Sequence, residues 1–124
     1  MKYLSLMVIF SLILTVNAKR LAPSSVKPVI HDGIEYSADR SLKKKGYDQK
    51  GGFLQAKNLK TKKILWVKAV YTIDYDHNLE IDVQDIYIAS ISVSKDKKHL
   101  VIIDERGRRF KLDFKTKKIT AVKN

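Results

Sequence analysis

Gly52-Phe53-Leu54-Gln55-Ala56-Lys57-Asn58-Leu59-Lys60-Thr61-Lys62-Lys63-Ile64-Leu65-Trp66-Val67-Lys68 is the stretch whose reading decides the fold. A glycine opens a run of β-formers, a lysine-rich turn interrupts it, and an isoleucine opens a second run. Two apolar runs joined by so short a polar connection pair as antiparallel neighbours. The unit returns 55 residues later: Gly107 falls on Gly52, Lys115-Thr116-Lys117-Lys118-Ile119 on Lys60 to Ile64, and Val122-Lys123 on Val67-Lys68. Asp113 and Phe114 replace Asn58 and Leu59 conservatively. Either the chain contains an internal repeat, or lysine-rich β segments are alike by chance.

Outward from this unit, six strand-like runs follow one another, Gly52 to Leu59, Ile64 to Ile73, Ile86 to Ser94, Leu100 to Asp104, Arg109 to Phe114 and Ile119 to Val122. Phe110, Leu112 and Phe114 alternate with Lys111, Asp113 and Lys115, the period of a half-buried strand. The Ile86 run begins apolar on both faces and ends with serines on one. Upstream, Val29-Ile30-His31 and Ile34-Glu35-Tyr36 flank Asp32-Gly33, which predicts a hairpin with a type I′ turn because both central positions need positive φ. Ser37 to Gly51 has no periodicity and five basic residues, and reads as a long exposed loop. No helix of any length is visible. The expectation is an all-β domain, an antiparallel meander sheet curling into a small sandwich or open barrel.

The residues from Gly52 to Trp66 resemble the blade motif of pyrroloquinoline-quinone-type β-propellers, in which a Gly opens the inner strand, an Ala packs beneath it, a Thr-Gly-Lys turn follows and a Trp locks neighbouring blades. Here Lys62 replaces the turn glycine, and the second copy has Ala121 at the tryptophan position. The resemblance implies β-hairpins and no quinone binding. A full propeller needs about four or more four-stranded blades, which this length does not supply. Together with Tyr71, Leu79 to Asp85 and Asp104-Glu105-Arg106-Gly107, the same stretch is similar to a family of small exported bacterial proteins of unassigned activity. That likeness implies a bacterial envelope address and carries over no catalytic residue.

The address agrees with the first residues. Lys2, the apolar run Tyr3 to Leu14 and then Val16-Asn17-Ala18 have the layout of a secretory leader over 1–18, with cleavage before Lys19. The apolar run is shorter than the ~20 residues of a membrane span. Residues 19–28 read as a flexible arm and 29–124 as a single β domain, periplasmic or secreted. The chain has 124 residues and no Cys, which excludes a disulfide framework, a thiolate nucleophile and a lipid-modified cysteine. Its net charge of +12 falls to +11 without Lys2. For an exported protein such a charge suits envelope phosphates, acidic glycans or acidic protein surfaces rather than nucleic acid, or serves solubility alone.

The acids concentrate in one place. Asp74, Asp76, Asn78, Glu80 and Asp82 recur at every second position, with Asp85 beyond and no Lys or Arg among them. Oxygen ligands at this spacing suggest a Ca²⁺ site at Asp74, Asp76, Asn78 and Glu80, but Leu79 stands where a calcium loop has glycine and Asp85 where it has glutamate. Ile73, Tyr75, Leu79, Ile81 and Val83 interleave with the acids, so a charged β-edge explains the pattern equally. His31, His77 and His99 have no metal-ligand spacing. His77 beside Asp74 or Asp76 could act as an oriented base, and no nucleophile accompanies it. Trp66, Tyr71 and Tyr87 are expected in the core.

In a meander, successive turns fall at alternate ends, so six sequential strands would gather the first, third and fifth turns at one pole. Those turns hold Lys60, Lys62, Lys63, Lys95, Lys97, Lys98, Lys115, Lys117 and Lys118, with Asp96 among them. The resulting expectation is a non-enzymatic binding or envelope-interaction module that engages an anionic partner through this pole. The rival expectations are a metal-dependent or hydrolytic enzyme using 74–85, and a structural subunit that pairs its edge strands with copies of itself or with a propeller partner.

Overall fold

A computed structural model describes residues 25–40 and 47–123. The expected leader, and the arm up to residue 24, lie outside the described residues. The elements are β1 (Val29–His31), β2 (Ile34–Ala38), β3 (Phe53–Asn58), β4 (Ile64–Ala69), β5 (Ile88–Val93), β6 (His99–Asp104), β7 (Arg109–Asp113) and β8 (Ile119–Val122). They form two antiparallel four-stranded meanders, β1-β2-β3-β4 and β5-β6-β7-β8. The fold is all-β and sandwich-like, as expected. The only helical element among the described residues is a 3₁₀ turn at Asp82–Gln84.

The first hairpin forms for the anticipated reason. Asp32 and Gly33 take φ of 53° and 75°, and Val29 pairs with Tyr36 across them. In the two central strands of the second sheet the alternation is strict, with Leu100, Ile102 and Asp104 of β6 and Phe110 and Leu112 of β7 turned inward. One core joins both sheets, with Tyr36, Leu54 and Ala56 from the first and Ile88, Ile91, Leu100, Ile102, Phe110 and Leu112 from the second. Val70, Tyr71, Ile73 and Ile86 of the connecting segment complete it.

The single six-strand meander does not form, because β4 and β5 do not pair. The run beginning at Ile64 leaves the ladder after Ala69, and the chain crosses between the sheets. Side chains satisfy several of the buried backbone groups at the crossing. Gln49 donates from Nε2 to the carbonyls of Gly51 (2.8 Å) and Tyr71 (2.9 Å) and accepts at Oε1 from the Ile73 amide (3.0 Å). The Tyr71 hydroxyl donates to the Ile86 carbonyl at 2.6 Å. Gln49 is 3% exposed, so the stretch expected to be an exposed loop ends in the core. Trp66 is also not where it was expected. Tyr71 and Tyr87 are buried, but Trp66 is half-buried on the edge strand, tilted against Tyr36.

Candidate functional site

The lysine turns owe their shape to local hydrogen bonding. Asn58 Oδ1 accepts from the amides of Lys60 (2.9 Å) and Thr61 (3.1 Å), and Asp113 Oδ1 accepts from those of Lys115 (2.8 Å) and Thr116 (2.9 Å). Thr61 Oγ1 then accepts from Lys63 and Thr116 Oγ1 from Lys118. Lys62 and Lys117 close the turns at φ of 64° and 65°, each amide donating to the carbonyl of Asn58 or Asp113 at 2.8 Å. The strands resume in the same register, Lys57 opposite Ile64 and Leu112 opposite Ile119. The two copies of the sequence unit therefore fold identically at the turn. They diverge beyond it, where β4 bulges opposite Ala56 and Lys57.

The third lysine turn uses an aspartate in the same way. Asp96 accepts from the Ser94 hydroxyl (2.5 Å) and the Lys98 amide (3.0 Å), and Lys97 sits at φ 59°. These two bonds, from Ser94 first, lower the Asp96 pKa to about 2, and the amides of Thr116 and Lys115 likewise lower that of Asp113. The ring of His99 bridges the two turns, with Nδ1 3.6 Å from Asp96 Oδ1 and Nε2 3.7 Å from Asp113 Oδ2.

A chain of contacts brings all three turns to one end of the molecule. The Phe114 amide donates to the Lys98 carbonyl (3.1 Å), which joins the β5–β6 and β7–β8 turns. The Leu59 amide donates to the Gly33 carbonyl (3.0 Å), which joins the β3–β4 turn to the β1–β2 hairpin. His31, at the end of that hairpin, stacks on Phe114 with ring centroids 4.1 Å apart. The parity that the sequence suggested for one sheet thus operates within each of two sheets, and the stacked rings bring their like ends together.

Eight of the nine lysines are exposed, and Lys117 is half-buried, its Nζ donating to the Phe114 carbonyl at 2.6 Å. Asp32, Asp96 and Asp113 share this end, but Asp96 and Asp113 direct oxygens into their own turns. Lys68 adds a cation that the sequence reading did not select. Its Nζ donates to the Lys117 carbonyl (2.6 Å) and lies 5.1 Å from the Trp66 ring centroid. The match of Lys68 to Lys123 in the repeat was a signal of register, with nothing in it to indicate contact with the other copy.

The acidic segment is an irregular connection and not a strand. Asp74, Asp76, Asn78 and Glu80 are all exposed. Gln84 organises it, donating to the carbonyls of Asp76 (2.9 Å) and Glu80 (3.1 Å) and accepting from the Asp76 amide (2.6 Å). Asp76 Oδ1 accepts from the Asn78 amide at 3.0 Å. Among the described residues no group of three or more His, Asp or Glu side chains is arranged to hold a metal ion. Tyr75 donates its hydroxyl to the buried Asp85, and burial, then this bond, raises its pKa far above the ordinary tyrosine range.

No helix among the described residues is long and apolar enough to cross a membrane. No family model matches the chain, and a search of the curated proteins finds no similar sequence.

Proposed function

We propose that the chain is an exported, non-enzymatic binding module whose lysine pole engages an anionic polymer or acidic surface of the bacterial envelope. The observation that carries this reading is the convergence of three lysine turns on one end of the fold, linked through Lys98–Phe114, His31–Phe114 and Gly33–Leu59. Like charges held together on short, internally bonded turns repel one another, and a polyanion relieves that repulsion. Each contact is weak and screened over a Debye length of ~8 Å at physiological salt, so the affinity comes from their number. The leader-like residues 1–18 support the envelope address.

Retention on a heparin or teichoic-acid column tests the reading. The triple variant Lys60→Glu, Lys95→Glu, Lys115→Glu should elute at much lower salt than the wild type. A control with the same charge change elsewhere, Lys27→Glu, Arg109→Glu, Lys111→Glu, should elute near the wild type. Equal loss in both variants would mean that net charge alone governs retention and would remove the pole. A self-associating subunit is the second reading, favoured by Ile64 and Leu65, 53% and 48% exposed on the edge strand β4.

A further inference from the structure

At the other end of the second sheet, the β6–β7 turn faces the segment that crosses between the sheets, and a cleft lies between them. One part, of about 370 Å³, is lined by Thr72, Asp74, Val83, Ile86, Arg106 and Arg108 among others. A second part, of about 340 Å³, adjoins it through Val83, Ile86 and Arg106. The size is that of a small-molecule site.

The sequence Asp104-Glu105-Arg106-Gly107-Arg108 builds the basic wall. Buried Asp104 accepts from the amides of Arg106 and Arg108, both at 2.9 Å, and Gly107 turns the chain at φ 80°. Both arginines therefore leave the same tight turn towards the cleft. Asp104 Oδ2 also holds Arg108 Nε at 2.6 Å, and the guanidinium carbon lies 5.0 Å from the Tyr71 ring centroid. Arg108 is thus fixed through Nε, which leaves its terminal pair of N–H groups for an oxyanion. The Arg106 guanidinium has no ion-pair partner among the described residues, nor has Asp74 on the opposite wall. Opposite charges thus line the same cleft without pairing, together with the apolar Val83 and Ile86.

We propose that this cleft binds a short zwitterionic peptide, its carboxylate on Arg106 and Arg108 and its ammonium on Asp74. Neither arginine is in ion-pair contact with Asp74, and an extended chain advances about 3.3–3.6 Å per residue, so two or three residues set a carboxylate and an ammonium further apart than a free amino acid does. The site is independent of the lysine pole.

The test is an amide-resolved NMR titration of the leaderless chain with trialanine, N-acetyl-trialanine and trialanine amide, with acetate and inorganic phosphate as simple anions. Trialanine should saturate shifts at residues 72–74 and 106–108, and each blocked peptide should bind at least tenfold more weakly. Arg106→Gln and Asp74→Asn, both at exposed side chains, should each weaken trialanine at least tenfold with the melting temperature unchanged. The triple lysine variant of the pole should bind trialanine as the wild type does. Acetate or phosphate binding as tightly as trialanine would make this an anion site and overturn the proposal. So would equal binding of the blocked peptides, or an absence of saturable shifts at these residues.

Discussion

Replacing Gln49 by leucine removes the side chain that ties three separate parts of the backbone together. Gln49 Nε2 serves two carbonyls, Oε1 serves one amide, and the site is 3% exposed, so water does not replace what is lost. A buried hydrogen-bonding group left without its partner costs about 1–3 kcal/mol. Three such groups, at the lower end because the crossing can relax, give about 3–4 kcal/mol, a large share of the ~5–15 kcal/mol that holds a domain of this size together. With a urea m-value of roughly 1 kcal/mol/M, the midpoint should fall by about 3 M. Gln49→Glu sharpens the test. It keeps an acceptor for the Ile73 amide but sets a carboxylate against the carbonyls of Gly51 and Tyr71, so it should be no better than leucine at neutral pH and should recover partly in acid. Hydrogen exchange at the Ile73 amide should accelerate in both variants. A Gln49→Leu midpoint within about 0.5 M of the wild type would refute the assignment of Gln49 as the clamp on the crossing between sheets.

Gly51→Ala should destabilise by about 1–3 kcal/mol in the same urea assay, because a Cβ there presses into the Ile86 carbonyl, the acceptor of the Tyr71 hydroxyl. Lys62→Gly and Lys117→Gly should be neutral or stabilising by up to about 1 kcal/mol and Lys62→Val destabilising, because both lysines occupy left-handed backbone that costs a side-chain-bearing residue about 1–2 kcal/mol; thermal melts of the single variants decide this. The carboxyls of Asp96 and Asp113 titrate below their unfolded range, so the native state binds fewer protons than the unfolded one in between. Their contribution to stability is complete above the unfolded carboxylate pKa of about 3.9 and is lost as pH falls through their depressed values, for Asp96 about 2. Asp113→Asn, which copies Asn58 of the first turn, should melt like the wild type at pH 7 and lose less stability at pH 2.5; an unchanged acid dependence would contradict the depressed pKa.

What the amino-acid sequence determines by itself is local. The Asp32-Gly33 hairpin, the two lysine turns capped by Asn58 and Asp113, and the in-out alternation of Phe110 and Leu112 each depend on residues within a few positions of one another. Turn chemistry and strand period act over that range, which is why the repeated unit was visible as sequence and recurs as the same set of hydrogen bonds. Within each sheet the end at which a lysine turn emerges follows from the parity of a meander, a topological rule that needs no distances, but parity does not carry across the break between β4 and β5. Tertiary structure decided the rest. Nothing near Ala69 in the chain announces that the ladder stops there, since Val70, Tyr71 and Ile73 suit a strand as well as a core-filling crossing. The crossing is favoured only once Gln49 and the Tyr71 hydroxyl satisfy backbone groups that strand pairing would otherwise have satisfied. A glutamine in a lysine-rich stretch reads as solvated for the same reason: its burial depends on an acceptor and a donor supplied from more than 20 residues away. The stacking of His31 on Phe114 and the arginine cleft opposite Asp74 likewise arise where the two sheets and their connection meet, and those contacts join positions whose separation no sequence period encodes.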